Sequence, residues 1–338
     1  MSEIELGECE MTRTTPSRPV DVEAVFPELS GHALTTTRLH PRRGNPSIHD
    51  SSVGGPLLWP EDEPWPVCAE VHRKDRGELL AHVREARRMR DDFRRRGTDP
   101  NDEERERWEA LEKRGRYAPD VRPEDPIPLL AVGQFYARGI PGLEAPSGCD
   151  LLQVLWCPFE RHDGHQVHLR LVWRSTADVG KPLATLPEFP VVGREGYVPS
   201  PCVVHPETVR EHQYVELLPA DLQAKVDRWT NWDDEDSPDY QSDLSVAPGW
   251  KIGGFAAWNV TGPGEVPAHC GRSMRLLLTI ATHEWDGGNR IWVPVEDQRS
   301  TGIRGANIPT DISVSRWGKM YVFVCAEDAY HPHWIITQ

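Results

Sequence analysis

The residue types of a nucleophile–base set stand together at one point of the chain, Cys157, His162 and Asp163. A thiol attacks as its thiolate, so it needs an imidazole within hydrogen-bond reach and a carboxylate to orient that imidazole. A five-residue step across a strand end and a turn does not by itself bring them into reach. The same turn holds His162, His165 and His168, imidazoles of the kind that bind transition metals, although histidines on a turn are ordinarily solvated. A second polar group is Asp50-Ser51-Ser52, which follows Arg42-Arg43 and precedes Gly54-Gly55. With Trp59 and Trp65 as aromatic walls, Arg42, Asp50 and Ser51 would line a small-ligand pocket. The plainer reading is that the Asp and Ser side chains cap a turn. A third group is the acidic run Asp233-Asp234-Glu235-Asp236 behind Trp229 and Trp232, either a seat for a basic peptide or a solvated loop. There is no Gly-x-Ser-x-Gly elbow and no Walker loop, and the Gly-Gly pairs lack the strand–loop–helix setting of a dinucleotide site. No catalytic residue is assigned, and the chemistry points to binding.

The elements that would position these groups are mostly short strands. Apolar runs predict strands over Leu129–Phe135, Leu151–Trp156, His168–Trp173, Arg275–Thr282, Ile291–Val295, Met320–Val324 and Trp334–Thr337. The Thr-rich run 33–39 has strand propensity as well. Residues 70–126 have a different texture. In the Arg/Glu-dense stretch Glu70–Gly97, Leu79, Leu80, Val83, Ala86, Met89 and Phe93 recur at steps of three and four, which predicts one helix with a single apolar stripe. A break at 97–102 precedes a second helix, Glu103–Arg114. A third helix is expected at Ala220–Trp229.

The order of features repeats. Gly54-Gly55 with Trp59 matches Gly253-Gly254 with Trp258, and Pro66 and Cys68 match Pro267 and Cys270. Leu129-Leu130-Ala131-Val132 matches Leu276-Leu277-Leu278-Thr279. Val154-Leu155-Trp156-Cys157 matches Val322-Phe323-Val324-Cys325, and each cysteine leads to a His-bearing turn, His162 and His165 or His331 and His333. The expected fold is therefore α+β, mostly β: an internally duplicated two-lobe antiparallel sheet module with an inserted charged helical hairpin. The segments are a tail, 1–20; a first β-rich repeat, 21–174, holding the insert 70–126; a Pro-rich acidic connector with one helix, 175–249; and a second repeat, 250–338. Trp59 and Trp258 would occupy matching seats.

These stretches, together with Met274-Arg275 after Cys270-Gly271 and with Tyr321, resemble the YwqG-like bacterial family of unknown function. That family is in turn similar to the C-terminal domain of the programmed-cell-death-2 family, dedicated chaperones of a ribosomal protein. The resemblance covers roughly 33–68 and 127–338 and implies the duplicated β module more than an activity. It also implies a zinc knuckle, since relatives carry a Cys-x-x-Cys-Gly pair and a second cysteine pair after the last strand. Here Pro267 and Asp328 stand at two of those four positions. His269, Cys270, Cys325 and His331 remain as a mixed zinc site, or the knuckle is degenerate and metal-free.

Charge limits the partners. Lys and Arg number 38 against 53 Asp and Glu, a net charge of −15. Such a field repels nucleic acid and anionic lipid, and no run approaches the ~20 apolar residues of a membrane-spanning helix. The acidic N-terminus lacks a signal-peptide core, and the seven cysteines are odd in number and dispersed, which predicts a reduced, cytoplasmic protein. The expected function is a non-enzymatic protein-binding module, chaperone-like or toxin-neutralising, that takes a protein or basic peptide in the groove between the repeats. The alternative is a small-ligand or metal-binding protein, or a metal-assisted enzyme, that uses the Cys/His turns. Arg42, Asp50, Ser51, Trp59, Trp65 and Trp258 are the candidate binding residues.

Overall fold

Runs of branched and aromatic residues make the strands, and Gly and Pro end them. The computed structural model describes residues 12–74, 77–96, 99–114, 121–160, 162, 167–230, 234, 237–267 and 270–338. In chain order the first strands are β1 (Ala33–Arg38), β2 (Arg42–Arg43), β3 (Ser52–Val53), β4 (Val67–Cys68) and β5 (Glu78–Leu79). After helices come β6 (Ile127–Pro128), β7 (Leu130–Tyr136), β8 (Leu151–Trp156) and β9 (Leu169–Arg174). The remainder are β10 (Val191–Val192), β11 (Cys202–Val203), β12 (Glu207–His212), β13 (Lys251–Gly253), β14 (Met274–Ala281), β15 (Lys319–Cys325) and β16 (Trp334–Thr337). The architecture is α+β and mostly β, built on antiparallel sheets.

Two six-stranded sheets dominate, ordered β2-β11-β3-β7-β8-β9 and β12-β1-β13-β14-β15-β16. The β7–β8 pair carries a register shift between Ala131 and Gly133, and the β14–β15 pair one between Leu276 and Leu278. Each sheet borrows a strand from elsewhere in the chain: β1 lies between β12 and β13, and β11 between β2 and β3. The sheets face each other across one apolar core. Val132, Leu152, Val154 and Trp156 enter it from one side, and Ile252, Met320, Val322 and Val324 from the other. The outer faces are covered too. Trp59, Leu129 and Leu155 form one outer cluster, and Trp258, Tyr321 and Phe323 another. A sheet buried on both faces reads as a continuous apolar run, not an alternation. All six residues of β8 are buried, and its one polar side chain, Gln153, donates to the Leu58 carbonyl at 2.9 Å.

Helix α1 (Val22–Val25) is short; α2 (Leu80–Arg96) and α3 (Asp102–Arg114) form the charged pair; α4 spans Ala220–Trp229 as expected. The expected helix with its apolar stripe is α2, which takes Leu80–Arg96 of the charged stretch. Just before it, Glu78–Leu79 are extended and pair with Val191–Val192. Helix α2 lies on the body through Leu80, Val83, Arg87 and Met89. The Arg87 guanidinium donates to the Glu195 carbonyl at 2.6 Å and to the Val198 carbonyl. Helix α3 opens with a capping box, in which Glu104 N–H donates to Asn101 Oδ1 (2.9 Å) and Asn101 N–H to the Glu104 carboxylate (3.0 Å). The predicted strand Ile291–Val295 is corrected as well. It is replaced by 3₁₀ turns at Arg290–Trp292 and Val295–Ser300, separated by Pro294, which has no N–H to give a sheet. No helix among the described residues is long and apolar enough to cross a membrane.

Candidate metal centre

After β4 the chain leaves for β5 and the α2–α3 pair, and β6 brings it back beside β4. Val67–Cys68 pair antiparallel with Ile127–Pro128. Cys68 is therefore fixed at the outer face of the first sheet. His72 lies one turn of chain further on, with its ring stacked on Phe159 at 5.1 Å. Cys157 is the first residue past β8 and is tied down by its N–H, which donates to the His168 carbonyl at 2.9 Å. His162 comes from the turn that follows, its ring 4.7 Å from that of His72. One ligand atom from each of Cys68, His72, Cys157 and His162 lies within 4.8 Å of the others, and all four residues are buried.

Three of the distances between these ligand atoms match the edges of a tetrahedral coordination shell. With Zn–S of about 2.3 Å and Zn–N of about 2.0–2.1 Å, neighbouring corners stand about 3.6 Å apart for sulfur and nitrogen and about 3.8 Å for two sulfurs. Cys68 Sγ is 3.5 Å from His72 Nε2 and 3.4 Å from His162 Nε2, and Cys157 Sγ is 3.6 Å from His72 Nε2. The set can hold a metal ion. Burial holds the His72 imidazole below its ordinary value, and neighbouring His162 adds to this, which favours the neutral ring that ligates. Burial pushes the Cys157 thiol far above its ordinary value. A buried thiol in that state is no nucleophile, whereas a divalent cation would take its thiolate. Of the other residues of that turn, Asp163 and His165 lie outside the described residues. The His168 ring stands 5.3 Å from His162 but is not one of the four.

A second group stands at the end of β15 in the other sheet. Cys270, Cys325 and His331 bring their ligand atoms within 4.8 Å of one another, with the two sulfurs 3.6 Å apart. Cys270 and Gly271 take left-handed conformations, φ 50° and 75°, which turn the thiol toward Cys325 at the end of β15. The backbone N–H of Glu327 lowers the Cys325 thiol to about 7, helped by His331 and the N–H of Asp328. His269, expected as a fourth member, lies outside the described residues. This group is more open than the first. Cys270 is exposed, His331 half-buried, and a cavity of about 410 Å³ reaches Cys325.

The other predicted site residues have separate partners. Asp50 caps its turn, accepting from Ser47 N–H at 2.7 Å and from the Ser47 hydroxyl at 2.8 Å. Ser51 Oγ accepts from Tyr136 N–H at 2.9 Å. Arg42 reaches Asp297 and lies 3.5 Å from Glu284. Trp59 packs against Trp65 (4.8 Å between rings) with Arg174 over its face at 4.7 Å, while Trp258 packs on Tyr321 and Phe323 beyond the second sheet. Of the acidic run, only Asp234 is among the described residues. A larger cavity, about 680 Å³, lies between the α2–α3 pair and the 303–317 loop, with Phe93, Trp108, Ile303 and Trp317 in its walls.

Sequence reasoning named Cys157 and His162 but not as ligands with Cys68, which precedes the charged stretch 70–126, and His72, which stands near its start. Cys68 and His162 are 94 positions apart. The available signal was the repeat, which already matches Cys68 to Cys270 and Cys157 to Cys325. No family model matches the chain, and no curated protein matches it.

Proposed function

We propose that the chain is a zinc-stabilised, non-enzymatic protein-binding module of the reducing cytoplasm. The observation that carries the first part is the four-residue group. Two sulfurs and two nitrogens at tetrahedral spacing suit zinc, and four buried ligands leave no coordination position for a substrate, which is the signature of a structural site. Cys68 and His72 would tie the root of the insert to the end of β8 through Cys157 and His162. The described cysteines are free thiols, in keeping with a reducing compartment.

The same reading takes the two sheets as copies of one ancestral pattern, related to the YwqG-like family by the residues quoted above. Strand order β3-β7-β8-β9 runs parallel to β13-β14-β15-β16, both copies have a bulge on the equivalent strand pair, and Trp59 and Trp258 both lie on the outer faces. The helical pair is then an insertion in the first copy. Because each sheet borrows a strand across the chain, neither copy would fold alone.

The facing sheet surfaces are filled by core, so the groove available to a partner is the cavity between α2–α3 and the 303–317 loop. Its aromatic walls, including an exposed Trp317, support docking of an extended polypeptide, and the net charge of −15 favours a basic one. A chaperone-like or toxin-neutralising role follows from that reading. Elemental analysis tests the zinc. Protein that carries none and takes none up on refolding would count against it. Fluorescence anisotropy with labelled Lys/Arg-rich peptides tests the groove. Binding that weakens with salt and with Trp317→Ala is expected, and no binding by any peptide would remove the proposal. One observation favours the alternative, a metal site with chemistry of its own: the three-residue group at Cys270.

A further inference from the structure

We propose that the cavity lined by Lys319 and Trp317 binds a small aromatic monocarboxylate, with the Lys319 ammonium as its counter-charge. The site lies on the outer face of the second sheet and takes no residue from either Cys/His group. Strand β15 alternates: Met320, Val322 and Val324 enter the core, while Tyr321 and Phe323 pack outward with Trp258. Lys319, the first residue of the strand, therefore stands on the outward side as well.

The ammonium is the unusual feature. Charges withdrawn from water are ordinarily paired or hydrogen-bonded, and the buried Lys74 and Lys251 obey this. Lys251 pairs with Glu211 at 2.8 Å, and Lys74 donates to the Pro123 carbonyl at 2.6 Å. Half-buried Lys319 makes no side-chain hydrogen bond or ion pair among the described residues; Asp286 and Glu211 act on it only through space. Glu211 is already committed to Lys251. Burial holds Lys319 below the ordinary lysine value, so a carboxylate arriving beside it supplies the charge that the fold withholds.

The rest of the cavity sets the class of ligand. Its volume is about 250 Å³, and an apolar cavity of about 150 Å³ already holds benzene, so an aromatic ring bearing a carboxylate fits. Pro248, Ala257 and Val260 line it beside the Trp317 indole, which stands 6.1 Å from the His283 ring. These walls are fixed. The Tyr321 hydroxyl accepts from Ala257 N–H at 3.1 Å and donates to the Ala257 carbonyl at 2.6 Å, and Gln338 Oε1 accepts from Val260 N–H at 3.2 Å. Ser315 and Trp317 hold left-handed backbone, φ 53° and 67°, an unfavourable state for residues with a Cβ that recurs at ligand clamps. Exposed Asp286 also lines the cavity, which suits one negative charge on the ligand and not two.

Calorimetric titration of the full-length protein with benzoate, phenylacetate and indole-3-acetate, each beside its primary amide, tests this. At least one acid should bind about tenfold or more tightly than its amide, a hydrogen bond to a charged group being worth about that much. Lys319→Met keeps an apolar stem and removes the charge. It should abolish that preference while melting at or above the wild type, because an unpaired ammonium is lost from the fold. No acid binding at millimolar concentration, equal binding of acid and amide, or a preference that survives Lys319→Met would overturn the site. So would a Lys319→Met protein that melts well below the wild type, since the ammonium would then have its partner within the fold.

Discussion

Stripping the metal is the perturbation that bears most directly on the closed centre. A ligand bound only by the folded state stabilises it by RT ln(1 + [L]/Kd), about 4 kcal/mol when free zinc stands a thousandfold above Kd. With about 2.1 cal/mol/K of unfolding entropy per residue, a chain of 338 residues has roughly 0.7 kcal/mol per kelvin at its midpoint. Full chelation should therefore lower Tm by about 6 °C, and stoichiometric zinc should restore it. The loss should be local before it is global. Cys68 lies in β4, which pairs with β6 where the chain leaves for and returns from the α2–α3 pair, so hydrogen exchange should rise first at 67–68 and 127–128. Thermal melts by circular dichroism, with chelator and with zinc added back, give the shift. Cys157→Ser should melt near the chelated wild type and lose most of its response to chelator. A chelator response of full size in Cys157→Ser, or no response in the wild type, would refute the assignment of these four residues as ligands.

Other outcomes follow from the buried charges and the glycine corners. Glu211 is fully buried, with Lys251 Nζ at 2.8 and 2.9 Å and Ala247 N–H at 2.8 Å, so Glu211→Ala strands an ammonium in the core. It should cost about 3–5 kcal/mol, read as a urea midpoint. Burial alone would raise the Asp311 carboxyl, but Arg87 and Arg43 outweigh it and hold it below its ordinary value. A depressed folded value stabilises above the unfolded value, about 3.9, and the contribution disappears as pH falls through the folded one. Asp311→Asn should therefore melt below the wild type at pH 7, and the gap should close as the pH drops below about 4. Gly253 and Gly254 both have left-handed backbone, φ 71° and 76°, but a Cβ at Gly253 meets open space, while one at Gly254 would stand 2.8 Å from Thr36 Cβ and against the Glu211 carboxylate. Gly253→Ala should cost about 1–2 kcal/mol and Gly254→Ala about 2–5 kcal/mol, measured by the same melts.

What the sequence discloses and what it hides divide along the range of the interactions. Strands β8 and β16 and helix α4 are legible to the residue, because an apolar run or an amphipathic period ends at a local signal. The start of α2 is legible to within a residue, since its stripe begins at Leu79, but the pairing of Glu78–Leu79 with the distant Val191–Val192 has no local signal. Ile291–Val295 reads as a strand by composition, although Pro294 inside it argues against one. The metal-ligating group is the hardest case, because its evidence is divided. Cys157 with His162 is a weak pair, Cys68 with His72 is another, and Cys157 and His72 are 85 positions apart. Each is an ordinary buried cysteine beside a histidine until the sheet joins them. On the duplication reading the two copies answer for each other: a cysteine before the central strands and a cysteine at the end of the next strand lie on one corner of the sheet in either half. A metal reading at Cys270 and Cys325 therefore entails the same question at Cys68 and Cys157, where His72 brings the group to four while the other shows three among the described residues.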